Sequence, residues 1–399
     1  MKSLLYHAFG LKGYRYLATR YEGREIIFEV ESEKEPEFKK EGEWVKAGWR
    51  WREVRMVSIG FKAVWIRVKV QKWKNSETKK TREQEVEFVS KGATVSRALA
   101  RQVVELARFM TLEDVSLLVK LSWGTVKEIV KKRLEKDYTR IGYKKVRRVG
   151  IDEIYLGKKE KFITLVLDLD SGRIIWVGAG RGVESLRGFW KRLKSAGGHL
   201  EAVAMDMSGA YASSVRERAP HAIITFDHFH VVKLMNERLD DLRRELVREA
   251  GDKVAKESIK KMRWLLLMSK KNLDESGSIK LQKALDLNRP LAIAYLLKEE
   301  LSLLWNQTDI QAAKEFLEQW CEKAQASGIA QLQAMVKTLK KHAQGILSYY
   351  TTGLTSAVVE GTNRKIKTLL NQAYGLRDQA YLKLRLFALH ESKLKFTGV

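Results

Sequence analysis

Cysteine is almost absent from this 399-residue chain. Cys321 is the only one, which excludes an intrachain disulfide framework and any zinc site built from several thiolates. Proline is nearly as scarce: Pro36, Pro220 and Pro290 are the only three, and so few breaks suit long helices. No apolar run approaches the roughly 20 residues of a membrane span. Met1-Lys2-Ser3-Leu4-Leu5 is too short an apolar start for a signal peptide, so the expectation is a cytoplasmic protein with no membrane partner. Acid is the fourth shortage, with 49 Asp and Glu against 75 Lys and Arg and a formal charge of +26. A surplus of that size implies an extended polyanionic partner, most simply DNA, bound through phosphate neutralisation and counterion release. Internal repeats and low-complexity linkers are also missing. What remains is a chain of ordinary apolar content, long enough for two or three domains with their own cores.

The most informative stretch is Arg147-Arg148-Val149-Gly150-Ile151-Asp152-Glu153-Ile154-Tyr155, a strand pattern carrying a carboxylate behind a basic approach. Two further β-type runs follow, Phe162–Asp168 and Arg173–Gly178, joined by Asp170-Ser171-Gly172, a hairpin turn by composition. An amphipathic helix over Val183–Ser195 precedes a second acid-bearing strand, Ala202-Val203-Ala204-Met205-Asp206-Met207-Ser208. A short helix, the strand Ala222–Asp227 and a helix opening at His228 complete the series. Three strands, helix, strand, helix, strand is the order of an RNase H-like sheet. A distant helix, Ser356–Lys367, offers a third acid, with Glu360, Asn363 and Lys367 at spacings that share one face. Three carboxylates at one sheet edge repel one another unless divalent cations sit between them, which is the design of a two-metal phosphoryl-transfer site.

Four ordered blocks carry a family resemblance: Gly150-Ile151-Asp152-Glu153; Met205-Asp206-Met207-Ser208-x-x-Tyr211; Asp227-His228-Phe229-His230-Val231-Val232-Lys233; and Val359-Glu360-Gly361-x-Asn363-x-x-Ile366-Lys367. Ala373-Tyr374-Gly375-Leu376-Arg377 and Tyr381-x-x-x-Arg385 fit the same pattern. Together they resemble the ISL3 family of insertion-sequence transposases over nearly the whole chain. The resemblance implies a DDE transposase in which Asp152, Asp206 and Glu360 are catalytic and hold two Mg²⁺ (or Mn²⁺) ions. It also implies double-stranded DNA as partner, both transposon ends and target, and a homo-oligomer in the DNA complex. A water would cut the end and the freed 3′-hydroxyl would attack target DNA. Two readings from other classes stand beside it: a DNA-binding regulator that no longer catalyses, and a stand-alone RNase H-like nuclease.

The expected fold class is an α/β RNase H-like core with an all-helical insertion, preceded by a β-rich module and a helix-turn-helix. Residues 1–91 hold short β-type segments at Glu25–Val30, Val54–Ile59 and Ala63–Val70, separated by charged, Trp-rich stretches. The family places a zinc ribbon here, but no cysteine occupies either knuckle, with Glu35-Pro36-Glu37-Phe38 at the first, so no zinc is expected. Burial of Trp44, Trp49, Trp51, Trp65 and Trp73 is the expected substitute for the metal. Residues 92–138 read as the helix-turn-helix: a helix within Val95–Met110, a start at Thr111-Leu112-Glu113-Asp114, a turn near Lys120, and a second helix capped by Ser122. Ser122, Thr125, Lys127 and Lys131 are its expected DNA contacts, the last three facing outward. Residues 139–230 form the first part of the core, 231–350 the helical insertion with turns at Ser276-Gly277-Ser278 and Pro290, and 351–399 the last part with the Glu360 helix. Arg364, Lys365 and Lys367 are expected at DNA phosphates. His228, His230 and Asn363 are expected in support, the His pair not as primary metal ligands, since residues two apart on a helix face different sides.

Overall fold

The computed structural model describes residues 4–157, 161–251, 253–286, 288–355, 357–373 and 378–390. They divide into two compact units, one from residues 1–139 with 372–399 and the other from residues 140–371.

The first unit opens with α1 (Leu4–Phe9) and the strands β1 (Tyr14–Glu22), β2 (Glu25–Ser32), β3 (Trp44–Ile59), β4 (Lys62–Asn75) and β5 (Thr81–Glu83). The sheet order is β1-β2-β4-β3, with β5 on the distal end of β4; β2 and β4 run parallel and the other pairs antiparallel. Alternation along β4 sends Val64, Ile66, Val68 and Val70 into a core shared with Val30, Val54 and Met56. This core is aliphatic. The expected tryptophan core is not found: Trp49 and Trp51 are exposed, and of the five only Trp73 is buried. The Trp-rich segment expected to separate strands is itself the first half of β3. Its side chains from Val45 to Trp51 are exposed, so it shows no apolar alternation, and pairing with β4 from Trp44↔Asn75 onward holds it extended.

Three helices follow: α2 (Arg97–Leu106), α3 (Leu112–Val119) and α4 (Trp123–Tyr138). Thr111 and Asp114 form a reciprocal capping box on α3, Lys120 ends it in the left-handed region at φ 54°, and the Ser122 hydroxyl accepts from Thr125 N–H to start α4. Leu99, Val103, Val115, Val126 and Val130 fill the space between the helices. The buried Arg55 guanidinium ties the sheet to this bundle, donating to the carbonyls of Met56, Val64 and Val119.

The second unit is built on β6 (Arg148–Gly157), β7 (Lys161–Asp168), β8 (Arg173–Ala179), α5 (Val183–Ser195), β9 (Ala202–Met205), α6 (Gly209–Arg218) and β10 (Ile223–Phe226). Its sheet has the order β10-β9-β6-β7-β8, with β6-β7-β8 antiparallel and β6-β9-β10 parallel. Among the described residues only helices follow: α7 (His228–Glu249), α8 (Lys253–Lys261), α9 (Arg263–Leu267), α10 (Glu275–Asp286), α11 (Arg289–Leu301), α12 (Ile310–Ala326), α13 (Ala330–Leu347), α14 (Tyr349–Thr352) and α15 (Ala357–Gln372), with short 3-10 turns between. Trp320 is fully buried at their centre and donates to the Leu297 carbonyl. Gly345 lets α13 press on the Phe226 ring of β10, where a Cβ would stand 2.4 Å from a ring carbon. Ser276-Gly277-Ser278, expected as a turn, lies in the first turn of α10, because the Asp274 carboxylate accepts from Gly277 N–H and starts the helix there. Pro290 sits in the first turn of α11 behind the Asn288 cap, where a missing N–H costs nothing.

The last helix, α16 (Gln379–Phe387), belongs to the first unit, where it packs on α4 with Tyr381 buried. That packing explains why residues 372–399 group there and not with the Glu360 helix, as the sequence boundary at 351–399 had it. Residues 374–377 of the Tyr374-Gly375-Leu376-Arg377 block lie outside the described residues.

Candidate active site and nucleic-acid interface

Strand register places the acids. In the parallel pair β6/β9, Ile151 stands opposite Met205, so the next residues, Asp152 and Asp206, are neighbours at the sheet edge. In β9/β10, Met205 stands opposite Phe226, which sets Asp227 beside Asp206. Three adjacent strands therefore deliver an aspartate to the same level. Helix α15 closes the pocket from above. Gly150 shares the Asp152 face of β6, and a Cβ there would stand 2.6 Å from a Val359 methyl, so only glycine lets α15 come this close. Val359, Glu360 and Asn363 then line the same cavity as Asp152, Asp206, Asp227 and His230. Its volume is about 90 Å³, room for several waters at roughly 10–15 Å³ each.

Asp152 accepts from its neighbour's Glu153 N–H at 2.7 Å and from the Asn363 side-chain amide. Burial pushes its carboxyl above the usual carboxylate range and the charge of Asp206 adds to this, while the two hydrogen bonds and His230 work the other way. Asp206 accepts from Ser208 N–H at 3.1 Å. No Lys or Arg is ion-paired with either aspartate among the described residues. The Glu360 carboxylate turns aside to Arg364 one turn along, at 2.6 Å. Consequently no three acidic, His or Cys side chains among the described residues stand close enough to hold one ion. The donor chemistry nonetheless suits a divalent cation: two unneutralised carboxylates face each other, and Asn363 Oδ1 is buried with no hydrogen-bond partner.

Asp227 starts α7 by accepting from Phe229 N–H at 3.1 Å, and it lies 3.4 Å from His228 Nδ1 and 3.7 Å from His230 Nε2. His230 reaches the pocket; His228 stands instead against Trp305. Behind the pocket, on the opposite face of β6, Tyr211 OH donates to Glu153 at 2.6 Å, accepts from Gly182 N–H and shares a hydrogen bond with Thr164. This knot ties the Asp152 strand to the helix that follows Asp206.

The helix-turn-helix residues are placed differently from expectation. Ser122 and Thr125 bond to each other as the cap of α4. Lys127 and Lys131, expected to face outward, lie on the side of α4 covered by α16, and both reach Asp378 at 2.9 and 3.2 Å. The cause is the apolar period of α4: Val126, Val130 and Leu134 face the bundle, and the flank beside them is where α16 docks. On α15, Lys365 and Lys367 are exposed, while Arg364 is held by Glu360.

Comparison with known proteins decides the family. Residues 149–386 match the transposase model of the ISL3 family, and residues 84–134 match the helix-turn-helix domain of the same transposase family. The chain is 34% identical over 297 residues to the transposase for insertion sequence element IS1001 of Bordetella parapertussis, covering 74% of this chain and 73% of that one. The chain belongs to the ISL3 transposase family. The transposase for IS1557 of Mycobacterium tuberculosis H37Rv is 30% identical, over 68% of this chain and 67% of its own. Among solved structures, the Drosophila P element transposase strand transfer complex matches at 10% identity and a TM-score of 0.37, over 74% of this chain and 92% of that one; so loose a likeness bears no argument.

For this transposase, sequence reading missed three contributors to the site: Asp227, Gly150 as the seat of α15, and the Tyr211–Glu153 knot. A signal for Asp227 was present, since each of three apolar runs ends in aspartate: Ile151-Asp152, Met205-Asp206 and Phe226-Asp227. Of the described residues, no helix is long and apolar enough to cross a membrane.

Proposed function

We propose that this ISL3-family chain binds transposon ends and performs metal-dependent DNA cleavage and strand transfer at the Asp152–Asp206 pocket, on a core of RNase H-like topology. The observation that carries the reading is the pair of unneutralised aspartates set side by side by strand register under a helix that brings Glu360 and Asn363. Mg²⁺ or Mn²⁺, two ions held by Asp152, Asp206 and Glu360, would supply Lewis-acid stabilisation of the charge that develops on the phosphate. The residues themselves do the rest. Asn363 orients the Asp152 carboxylate, and Glu360 joins the pocket by releasing Arg364, whose guanidinium then faces the DNA backbone with Lys365 and Lys367. His230, whose Nε2 lies 3.7 Å from Asp227, stands at the pocket wall, where its imidazole is placed to meet a phosphate oxygen.

The remaining division of labour is a β-rich module (1–91), the helix-turn-helix (92–138), the core (139–230 and 351–371) and the helical insertion (231–350), with residues 372–399 grouped with the first unit. Ser122 and Thr125 at the start of α4 are the helix-turn-helix residues best placed for duplex DNA, as a homo-oligomer pairs two ends. A second reading, DNA binding without catalysis, draws on one observation: Glu360 is paired with Arg364. Incubating the protein with its element's terminal duplexes and Mg²⁺ or Mn²⁺ separates the readings. End-specific nicking followed by strand transfer supports the first, binding alone the second, and cleavage without end preference a stand-alone nuclease.

A further inference from the structure

The carboxylate pocket does not end at its own wall. Phe229 lines it and also lines a second groove, of about 460 Å³, that runs between α7 and α9 past Lys233, Asn236, Arg244 and Arg263. Phe229 is 49% exposed at the near end of this groove. At the far end Arg263 lies against the ring of Trp264, 5.1 Å from its centroid, and Trp264 is 69% exposed. Single exposed aromatics are ordinary, but Phe229 in the groove lining and Trp264 beside the groove-lining Arg263 are not explained by packing: Met262 and Leu266 already bury the inner face of α9.

The charges lining the groove balance, and the cationic surplus lies beyond it. Glu237, Asp240 and Asp241 also line it, yet Asp240 is claimed by Arg243 and Arg244 at 2.7 Å and by Arg263 at 3.5 Å. Beyond the groove, residues 253–271 hold seven Lys or Arg and one acid, Glu257, itself paired with Lys261. Lys260, Lys270 and Lys271 are exposed on this rim.

We infer that the α7–α9 groove and its Trp264 rim bind single-stranded DNA leaving the carboxylate pocket, with Phe229 and Trp264 stacking on unpaired bases and Lys233, Lys260, Lys270 and Lys271 meeting phosphates. Aromatic faces set among cations are the means by which unpaired nucleotides are held without sequence preference; in a duplex the base faces are already stacked and unavailable. This rests on the reading of the pocket as a DNA-cleaving centre.

The test uses the full chain and two probes: a poly(dT) oligonucleotide of about 16 nucleotides, within the length one such site engages, and the element's terminal duplex. Anisotropy should show Trp264→Ala binding poly(dT) roughly 5- to 100-fold more weakly, Trp264→Phe retaining most of the affinity, and both binding the duplex as the parent does. An unchanged melting temperature checks that α9 still docks. Equal poly(dT) affinity in parent and Trp264→Ala, or equal loss on both probes, overturns the inference. A parent protein that binds poly(dT) through Trp264 but never nicks its terminal duplex removes the cleavage reading and leaves the binding surface standing.

Discussion

The two sheets handle acid in opposite ways. In the first, Glu29 is 5% exposed and bracketed by Arg20 at 2.8 Å and Arg67 at 3.3 Å. In the second, Asp152 and Asp206 stand side by side with no Lys or Arg paired to either among the described residues, only hydrogen-bond donors, Asp227 and His230. Withdrawing a carboxylate from water costs several kcal/mol unless a partner charge offsets it. The first sheet obeys that rule; the second breaks it at Asp152, which burial pushes above the usual carboxylate range with no Lys or Arg beside it. A fold tolerates such a breach where the missing charge arrives with a ligand, which is the ground for proposing the unpaired acids as the working site and the paired one as scaffold. Cations tell a similar story. Lys127 and Lys131 have the look of DNA contacts by sequence, but Asp378 claims both, and its carboxyl is held far below the usual range by the Tyr381 N–H first and then by these lysines.

The largest expected effect separates the two kinds of acid. Asp206→Asn and Asp152→Asn should each reduce end cleavage by about 10³-fold or more, since several kcal/mol of transition-state stabilisation is at stake. Filter binding of the same ends should hardly change. Removing divalent ions with a chelator should likewise stop cleavage yet leave the melting of the N-terminal unit unmoved, because its sheet packs on Val, Ile, Leu, Met and Phe28. A chelator-induced loss of protease resistance there would break the comparison.

Next in size is Gly150→Ala. Its Cβ must displace Val359 and Leu169, which should cost about 1–3 kcal/mol of stability and lower cleavage by moving Glu360 and Asn363 off the aspartates. Glu29→Ala should cost about 1 kcal/mol by removing the buried acid that Arg20 and Arg67 share, with Arg67 keeping its pair with Glu53 at 2.7 Å, visible as a lower melting temperature with cleavage per bound end unaffected.

The smallest effect concerns Asp378. Because its folded pKa lies below the unfolded value, it contributes stability that is present above about pH 4 and is lost as pH falls below that. Asp378→Asn keeps the α16 cap but loses the lysine pairing, so its melting temperature should fall less than the parent's on acidification. The difference should stay under about 1 kcal/mol for so accessible a group.

Much of the second unit was legible in sequence because its signals are local. Short apolar runs ending in Asp mark β6, β9 and β10, and Val183–Ser195 has a clean helical period that the structure reproduces to the residue. The capping box at Thr111 and the cap at Ser122 also act over three or four residues, so both helix starts could be read directly. What stayed hidden depends on partners distant in the chain. The first half of β3 is extended only because β4 pairs with it. Lys127 and Lys131 turn inward only because Asp378, about 250 residues on, waits at the end of α16. Asp227 joins the site through register with β9, which no single run reveals. Glu360 lines the pocket, but its present partner, Arg364, shares its helix and competes for it.

The most direct test of the central claim is a melting series on Asp206→Asn and the parent, each with and without Mn²⁺. If the paired aspartates are held against their mutual repulsion for a cation to relieve, the amide should raise stability without metal by roughly 1 kcal/mol. Mn²⁺ should then stabilise the parent and not the variant. A variant that melts lower than the parent without metal, or that gains as much from Mn²⁺, would contradict the account.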